Sequence, residues 1–144
     1  MKIPSQYQRT TVKNKKTKHS VYNLNYHIVF VTKYRHNVLT GKVEEFVKAK
    51  LEELCTLYGW ELISMELMPD HMHIFISTEP KIAPLAIAST LKSILTVEVF
   101  KRFSTLKQKY FWGSGLFSRG CYYGSAGTIS AASIKKYIEE QKLK

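Results

Sequence analysis

Residues 25–32 (NYHIVFVT) form a run of apolar, β-branched and aromatic residues closed by the charged stretch Lys33-Tyr34-Arg35-His36. Such a run reads as a buried strand. The period then changes. Val43, Phe46, Val47, Leu51, Leu54 and Tyr58 recur at helical intervals, which predicts an amphipathic helix from a Thr40 cap to about Tyr58. Gly59 follows, where a helix C-terminus favours a left-handed residue. Residues 60–68 (WELISMELM) predict a second strand with Ile63, Met65 and Leu67 on one face. Pro69-Asp70 is a turn signal, and residues 71–77 (HMHIFIS) alternate as a third strand, completing a hairpin. Residues 84–103 place Ile87, Leu91, Ile94 and Leu95 on the inner face of a long helix. Residues 116–123 predict a last strand. Ser130 is placed to cap a final helix through Lys142, whose face is Ile134, Tyr137, Ile138 and Gln141.

The order β-α-β-β-α-β-α predicts an α+β fold. It is a ferredoxin-like (RRM-like) antiparallel sheet with helices on one face and one helix added at the C-terminus. Many nucleic-acid-binding modules have this shape, which does not by itself define a function. The first 20 residues are polar and basic with no periodicity. Residues 1–22 are therefore expected to form a flexible basic arm, and residues 23–144 a single domain. There is no internal repeat.

Composition narrows the function. A chain of 144 residues, 44% hydrophobic, can bury one core and is not globally disordered. Cys55 and Cys121 make neither a disulfide framework nor a CxxC metal site. No run approaches the roughly 18 apolar residues of a membrane span, and no secretory segment opens the chain, so a cytoplasmic protein without a membrane partner is expected. The net charge of +11 is segregated. Residues 1–43 carry nine basic residues and no acid, residues 44–80 a net −6, and residues 81–119 a net +6. Two basic blocks point to a polyanion such as nucleic acid.

Two sets of residues carry candidate chemistry. On a strand, His71 and His73 face the same way while Met72 faces the core, so two imidazoles stand side by side. Alone, such a pair supplies half the ligands a metal site usually needs. Tyr137 and Gln141 lie one turn apart on one face of the last helix. A phenol with a pKa near ~10 is a poor nucleophile unless a cation or base assists it. Taken together, two neutral imidazoles and an amide oxygen could hold a dication without cancelling its charge. The ion would then stabilise a phosphoryl transition state as Tyr137 attacks in line. No GxxxxGK[ST] phosphate loop is present, and storing the phosphodiester's energy on tyrosine needs no ATP.

These motifs resemble the single-tyrosine HUH transposases of insertion sequences that move as single-stranded DNA, HUH denoting His-hydrophobic-His. Met68-Pro69-Asp70 followed by His71-Met72-His73 is similar to that family's HUH strand. The stretch from Ser133 to Gln141 is similar to its nucleophile helix, and Phe30-Val31-Thr32-Lys33-Tyr34-Arg35 to its first strand and adjoining loop. The resemblance runs from about Asn23 to Gln141. It implies Tyr137 as nucleophile, with His71, His73 and Gln141 as metal ligands and Mg²⁺ or Mn²⁺ as cofactor. It further implies a 5′-phosphotyrosine intermediate, recognition of DNA hairpins at the element's ends, and a homodimer whose nucleophile helices complete each other's sites. One departure is the start of the last helix, Ser130-Ala131-Ala132-Ser133, where the family commonly has acidic residues. Five of seven glycines fall between Gly113 and Gly127, just before that helix, where they could form a hinge or simply a loop-rich crossing.

Single-stranded DNA is held by cationic grooves with aromatic stacking platforms. Lys33, Tyr34 and Arg35 make one such mixture. Lys107, Lys109, Tyr110, Phe111, Trp112 and Arg119 make another, although large aromatics such as Phe111 and Trp112 usually bury. A non-catalytic hairpin-binding module is the competing reading from a different class, and a domesticated relative that nicks repeats is a third. A binding module would have no need of His71, His73, Tyr137 and Gln141 together.

Overall fold

The β-rich run after Asn23 forms the centre of the sheet because it is apolar on both sides. In the computed structural model, which describes residues 15–16, 21–22, 24–111, 113–125 and 139–140, two short strands come first. These are β1 (Lys15–Lys16) and β2 (Val21–Tyr22), paired antiparallel. They lie within the basic arm expected over residues 1–22, and Lys15 ties them to the domain through Glu61 (2.5 Å) and the Ser77 hydroxyl (3.0 Å). The domain follows as β3 (Asn25–Val31), α1 (Gly41–Tyr58), β4 (Glu61–Met68), β5 (His71–Ser77), α2 (Pro84–Arg102) and β6 (Tyr122–Ser125). The sheet order is β4-β5-β3-β6 with every pairing antiparallel. This is the expected ferredoxin-like α+β arrangement, with the two middle positions held by the strands richest in β-branched and aromatic residues. No helix among the described residues is long and apolar enough to cross a membrane.

The helices start and stop for local reasons. Pro84 opens α2 at a position where its missing N–H costs nothing. Gly59 ends α1 at φ 74°, in the left-handed region expected of it. Thr40 occupies the N-cap of α1, but its side chain makes no capping bond; its carbonyl accepts from Val43 and Glu44 instead. One helix face of the sheet, with Ile28, Phe30, Met72, Ile74 and Ile76, packs in a single core with Val47, Leu51 and Leu54 of α1 and Ile87, Leu91 and Leu95 of α2.

Two expectations about strands give way to tertiary effects. The face predicted from Ile63, Met65 and Leu67 is interrupted by a bulge between Leu62 and Ser64. A bulge shifts the alternation by one residue, so Leu62, not Ile63, joins Met65 and Leu67 against the core. The last strand, expected over residues 116–123, pairs as a ladder over Tyr122–Ser125 among the described residues, and Phe117 makes an isolated bridge with Thr32. The intervening carbonyls have another partner. Lys92 of α2 donates to the carbonyls of Ser118 (2.7 Å), Arg119 (2.9 Å) and Gly120 (2.7 Å), drawing the chain off the sheet. The appended C-terminal helix falls outside the described residues except for Glu139 and Glu140, which are helical.

The sheet's second face is also closed. His27, Val29, Val31, His71, His73 and Phe75 are all buried there, none more than 7% exposed. Desolvation lowers the pKa of His27 to about 4 and that of His73 to about 3, with neighbouring histidines adding to the effect at His73. In the unfolded chain these rings take up protons near pH 6.5. Their contribution to stability is therefore full above about pH 6.5 and is lost as pH falls through the folded values. Urea titrations in metal-free buffer should show the unfolding midpoint falling steadily from pH 7 to pH 4. A midpoint that stays level across that interval would contradict two buried neutral rings.

Candidate metal centre

The hairpin β4–β5 sets the orientation of the two predicted ligands. Because alternate residues of β5 face opposite ways, Met72 enters the core while His71 and His73 share the face turned from the helices. Their ring centroids are 5.1 Å apart, the planes 71° from each other. In the central ladder His71 stands opposite Val31 and His73 opposite Val29, so apolar side chains wall one side of the pair.

Each ring is tied back through its Nδ1. His71 Nδ1 donates to Asp70 Oδ1 at 2.7 Å, and the other oxygen of that carboxylate accepts from Arg35 Nε at 2.8 Å. Burial alone would raise the Asp70 carboxyl. The bonds from His71 and Arg35 outweigh it and hold the group below the usual carboxylate range, hence ionised at neutral pH. An ionised carboxylate at Nδ1 places the ring proton there and the lone pair on Nε2. That Nε2 is buried and has no hydrogen-bond partner among the described residues. A carboxylate behind an imidazole whose far nitrogen is left bare is the usual support of a histidine metal ligand. His73 Nδ1 is engaged at 2.9 Å by His27 Nε2 on the adjacent strand. These residues fit a divalent ion as far as two nitrogen donors go. Among the described residues no group of three or more His, Cys, Asp or Glu could hold a metal, and Tyr137 and Gln141 lie outside the described residues.

Asp70 and His27 carry no role in the sequence reading. Asp70 is there half of a turn signal and the end of the stretch that leads into the HUH-like strand, yet its side chain joins the loop to the histidine beside it. His27 is one imidazole in a strand that is mostly apolar, and that is the signal: a buried polar ring needs a partner.

The loop after β3 is bent sharply. Tyr34 and Arg35 both take positive φ, 57° and 55°. The Thr32 hydroxyl, bonded to the carbonyls of His36 and Asp70, and the Arg35–Asp70 ion pair hold that shape. Tyr34, half exposed, lies under the Lys33 ammonium at 5.6 Å. Tyr34, Arg35, Asn37 and Asp70 line a recess of about 190 Å³. Thus Arg35, expected to contact DNA, has its Nε committed to Asp70, whereas Tyr34 is exposed and Lys33 is half-buried beside it. Arg119 borders a second, open recess of about 390 Å³ with Ser93, Thr96 and Lys92. In the other basic-aromatic block Phe111 is a core residue, its ring against Phe100 and His36, and Trp112 lies outside the described residues.

The comparisons with known proteins agree with one another. The chain is 36% identical over 127 residues to the ISDra2 transposase TnpA of Deinococcus radiodurans, covering 88% of this chain and 90% of that protein. It is 31% identical to the transposase for insertion sequence element IS200 of Salmonella typhimurium, covering 85% and 80%. A crystal structure of a Deinococcus radiodurans R1 protein described as a transposase superposes with a TM-score of 0.79 at 35% identity, over 88% of this chain and 97% of that one. The profile of the family described as "Transposase IS200 like" matches residues 20–141, most of the chain. With its ferredoxin-like sheet and paired histidines, this chain belongs to the family of IS200-like transposases.

Proposed function

We propose that this transposase cuts and rejoins single-stranded DNA through Tyr137, with Mg²⁺ or Mn²⁺ held by His71, His73 and Gln141. The observation that carries the reading is the pair of buried imidazoles on one face of β5 whose Nδ1 atoms are both engaged by protein, the Nε2 of His71 being buried without a hydrogen-bond partner among the described residues. The ion, when bound, polarises a non-bridging phosphate oxygen and stabilises the charge of the transition state. Tyr137 supplies the nucleophile. Its phenolic oxygen forms a bond to phosphorus as the P–O3′ bond breaks, and the phenolic proton passes to the departing 3′ oxygen. A 5′-phosphotyrosine and a free 3′-hydroxyl result. Attack by another 3′-hydroxyl reverses the step and releases the joined strand, with no net loss of phosphodiester bonds.

Burial serves this chemistry at His73 by disfavouring its protonated form, since a protonated imidazole cannot ligate. Lys33, Tyr34 and Arg119 contact the strand: the cations pair with phosphates, and the half-exposed Tyr34 ring offers a stacking face. The DNA recognised is a hairpin at each end of the element. The protein acts as a homodimer in which the helix bearing Tyr137 completes the partner's site, the glycines between Gly113 and Gly127 giving that segment its reach.

Incubation with end-labelled single-stranded hairpin DNA and Mn²⁺, followed by denaturing electrophoresis, should reveal a protein-linked strand. The adduct should vanish in Tyr137→Phe and on chelation of the metal, and return when Mn²⁺ is added to the chelated wild type. Tight hairpin binding with no adduct under any of these conditions would make the protein a non-catalytic binding module instead. A mixture of Tyr137→Phe and His71→Ala chains should regain activity through the one site assembled from intact halves, whereas a wholly inactive mixture argues for sites built within one chain. Replacing Lys33 with Ala should weaken binding at every sequence tested and reduce the salt slope by about 0.7, the share of one phosphate on a single strand. An unaltered slope would remove Lys33 from the contact surface.

A further inference from the structure

The contact between His27 and His73 has a chemical direction. Both rings are buried, His27 at 0% and His73 at 1% exposure. Their planes lie within 16° of parallel with centroids 5.0 Å apart, yet His27 Nε2 and His73 Nδ1 are 2.9 Å from each other. So short a nitrogen–nitrogen approach is edge to edge, the geometry of an N–H···N bond and not of stacked faces. One nitrogen must bring the proton and the other the lone pair. If His27 donates, a neutral His73 must carry its single proton on Nε2. If His73 donates, its Nε2 carries a lone pair. A neutral imidazole carries one ring proton, so the two directions of the bond exclude each other.

We infer that His27 is the positioning residue of the second metal ligand: its Nε2 accepts the Nδ1 proton of His73 and so fixes the tautomer and orientation in which His73 Nε2 can ligate. This rests on the reading of His73 as a ligand. The arrangement parallels that at His71, where Asp70 accepts the Nδ1 proton at 2.7 Å, but here the acceptor is a neutral ring contributed by the neighbouring strand. A neutral acceptor suits this place. A carboxylate on the closed face of the sheet would add a second buried negative charge, with a desolvation cost that an imidazole does not carry. The bond also crosses between β3 and β5, so the orientation of His73 depends on the register of the two central strands.

The test uses the full chain. In the metal-free wild type, long-range ¹H–¹⁵N correlation spectra should show His73 as the Nδ1–H tautomer, and in His27→Leu its population should move toward Nε2–H. Titration with Mn²⁺, followed by the loss of the free-ion EPR signal, should give a Kd about 10- to 100-fold weaker for His27→Leu, the usual cost of removing such a support. His27→Gln places an amide oxygen where Nε2 stood and should recover much of the affinity. A role in packing alone predicts the reverse order, with the apolar Leu tolerated at least as well as Gln. An Nε2–H tautomer of His73 in the wild type overturns the inference even if no variant folds. Wild-type affinity in a folded His27→Leu overturns it while leaving the metal reading intact. Failure of the wild type to bind Mn²⁺ removes the metal reading and this inference with it.

Discussion

A neutral imidazole has two nitrogens and one proton, and a buried one cannot borrow a second partner from water. At the centre of this sheet that constraint acts twice. His71 and His73 are both closed off from solvent, so the group that engages each Nδ1 determines what each Nε2 can do. Asp70 is that group for His71 and His27 for His73. The sheet can keep two polar rings inside because the Nδ1 of each is bonded to a neighbouring side chain. Apolar neighbours such as Val29 and Val31 do more than exclude water. At His73 they also penalise the protonated state.

The same carboxylate that serves His71 also shapes the adjoining loop. Left-handed backbone at Tyr34 and Arg35 costs on the order of 1–2 kcal/mol per residue. Hydrogen bonds to charged groups contribute about 1.5–3 kcal/mol. The Arg35–Asp70 pair and the Thr32 hydroxyl are therefore of the right size to hold the bend. The consequence is a continuous connection from the exposed Tyr34, through Arg35 and Asp70, to His71. Asp70 is thus shared between the loop and His71.

Much of this was legible in one dimension. The change of period between residues 25–32 and 43–58, and the turn at Pro69-Asp70, lead to the right element order because each depends on neighbours a few residues away. His71 and His73 could be assigned to one face for the same reason, and the basic and aromatic character of residues 33–35 is plain in the chain. The misplaced features have long-range causes. Ile63 was expected inward because alternation was assumed to be unbroken, and the bulge that breaks it exists only in the pairing with Phe75 and Ile76. The last strand was expected too early because its apolar residues, Leu116 and Phe117, are indeed buried, but the carbonyls that follow are claimed by a lysine 26 to 28 residues away.

By itself, the sequence determined the α+β architecture, the basic character of the surface and the juxtaposition of two histidines on a strand, since periodicity and nearest-neighbour geometry suffice for each. Tertiary structure alone decided what those histidines are able to do. The partner of His73 lies 46 residues away in the chain, Arg35 meets Asp70 across 35, and no local pattern encodes either meeting. An imidazole's chemistry is set by the atom at its other nitrogen, and only the folding of β3 against β5 brings that atom into place.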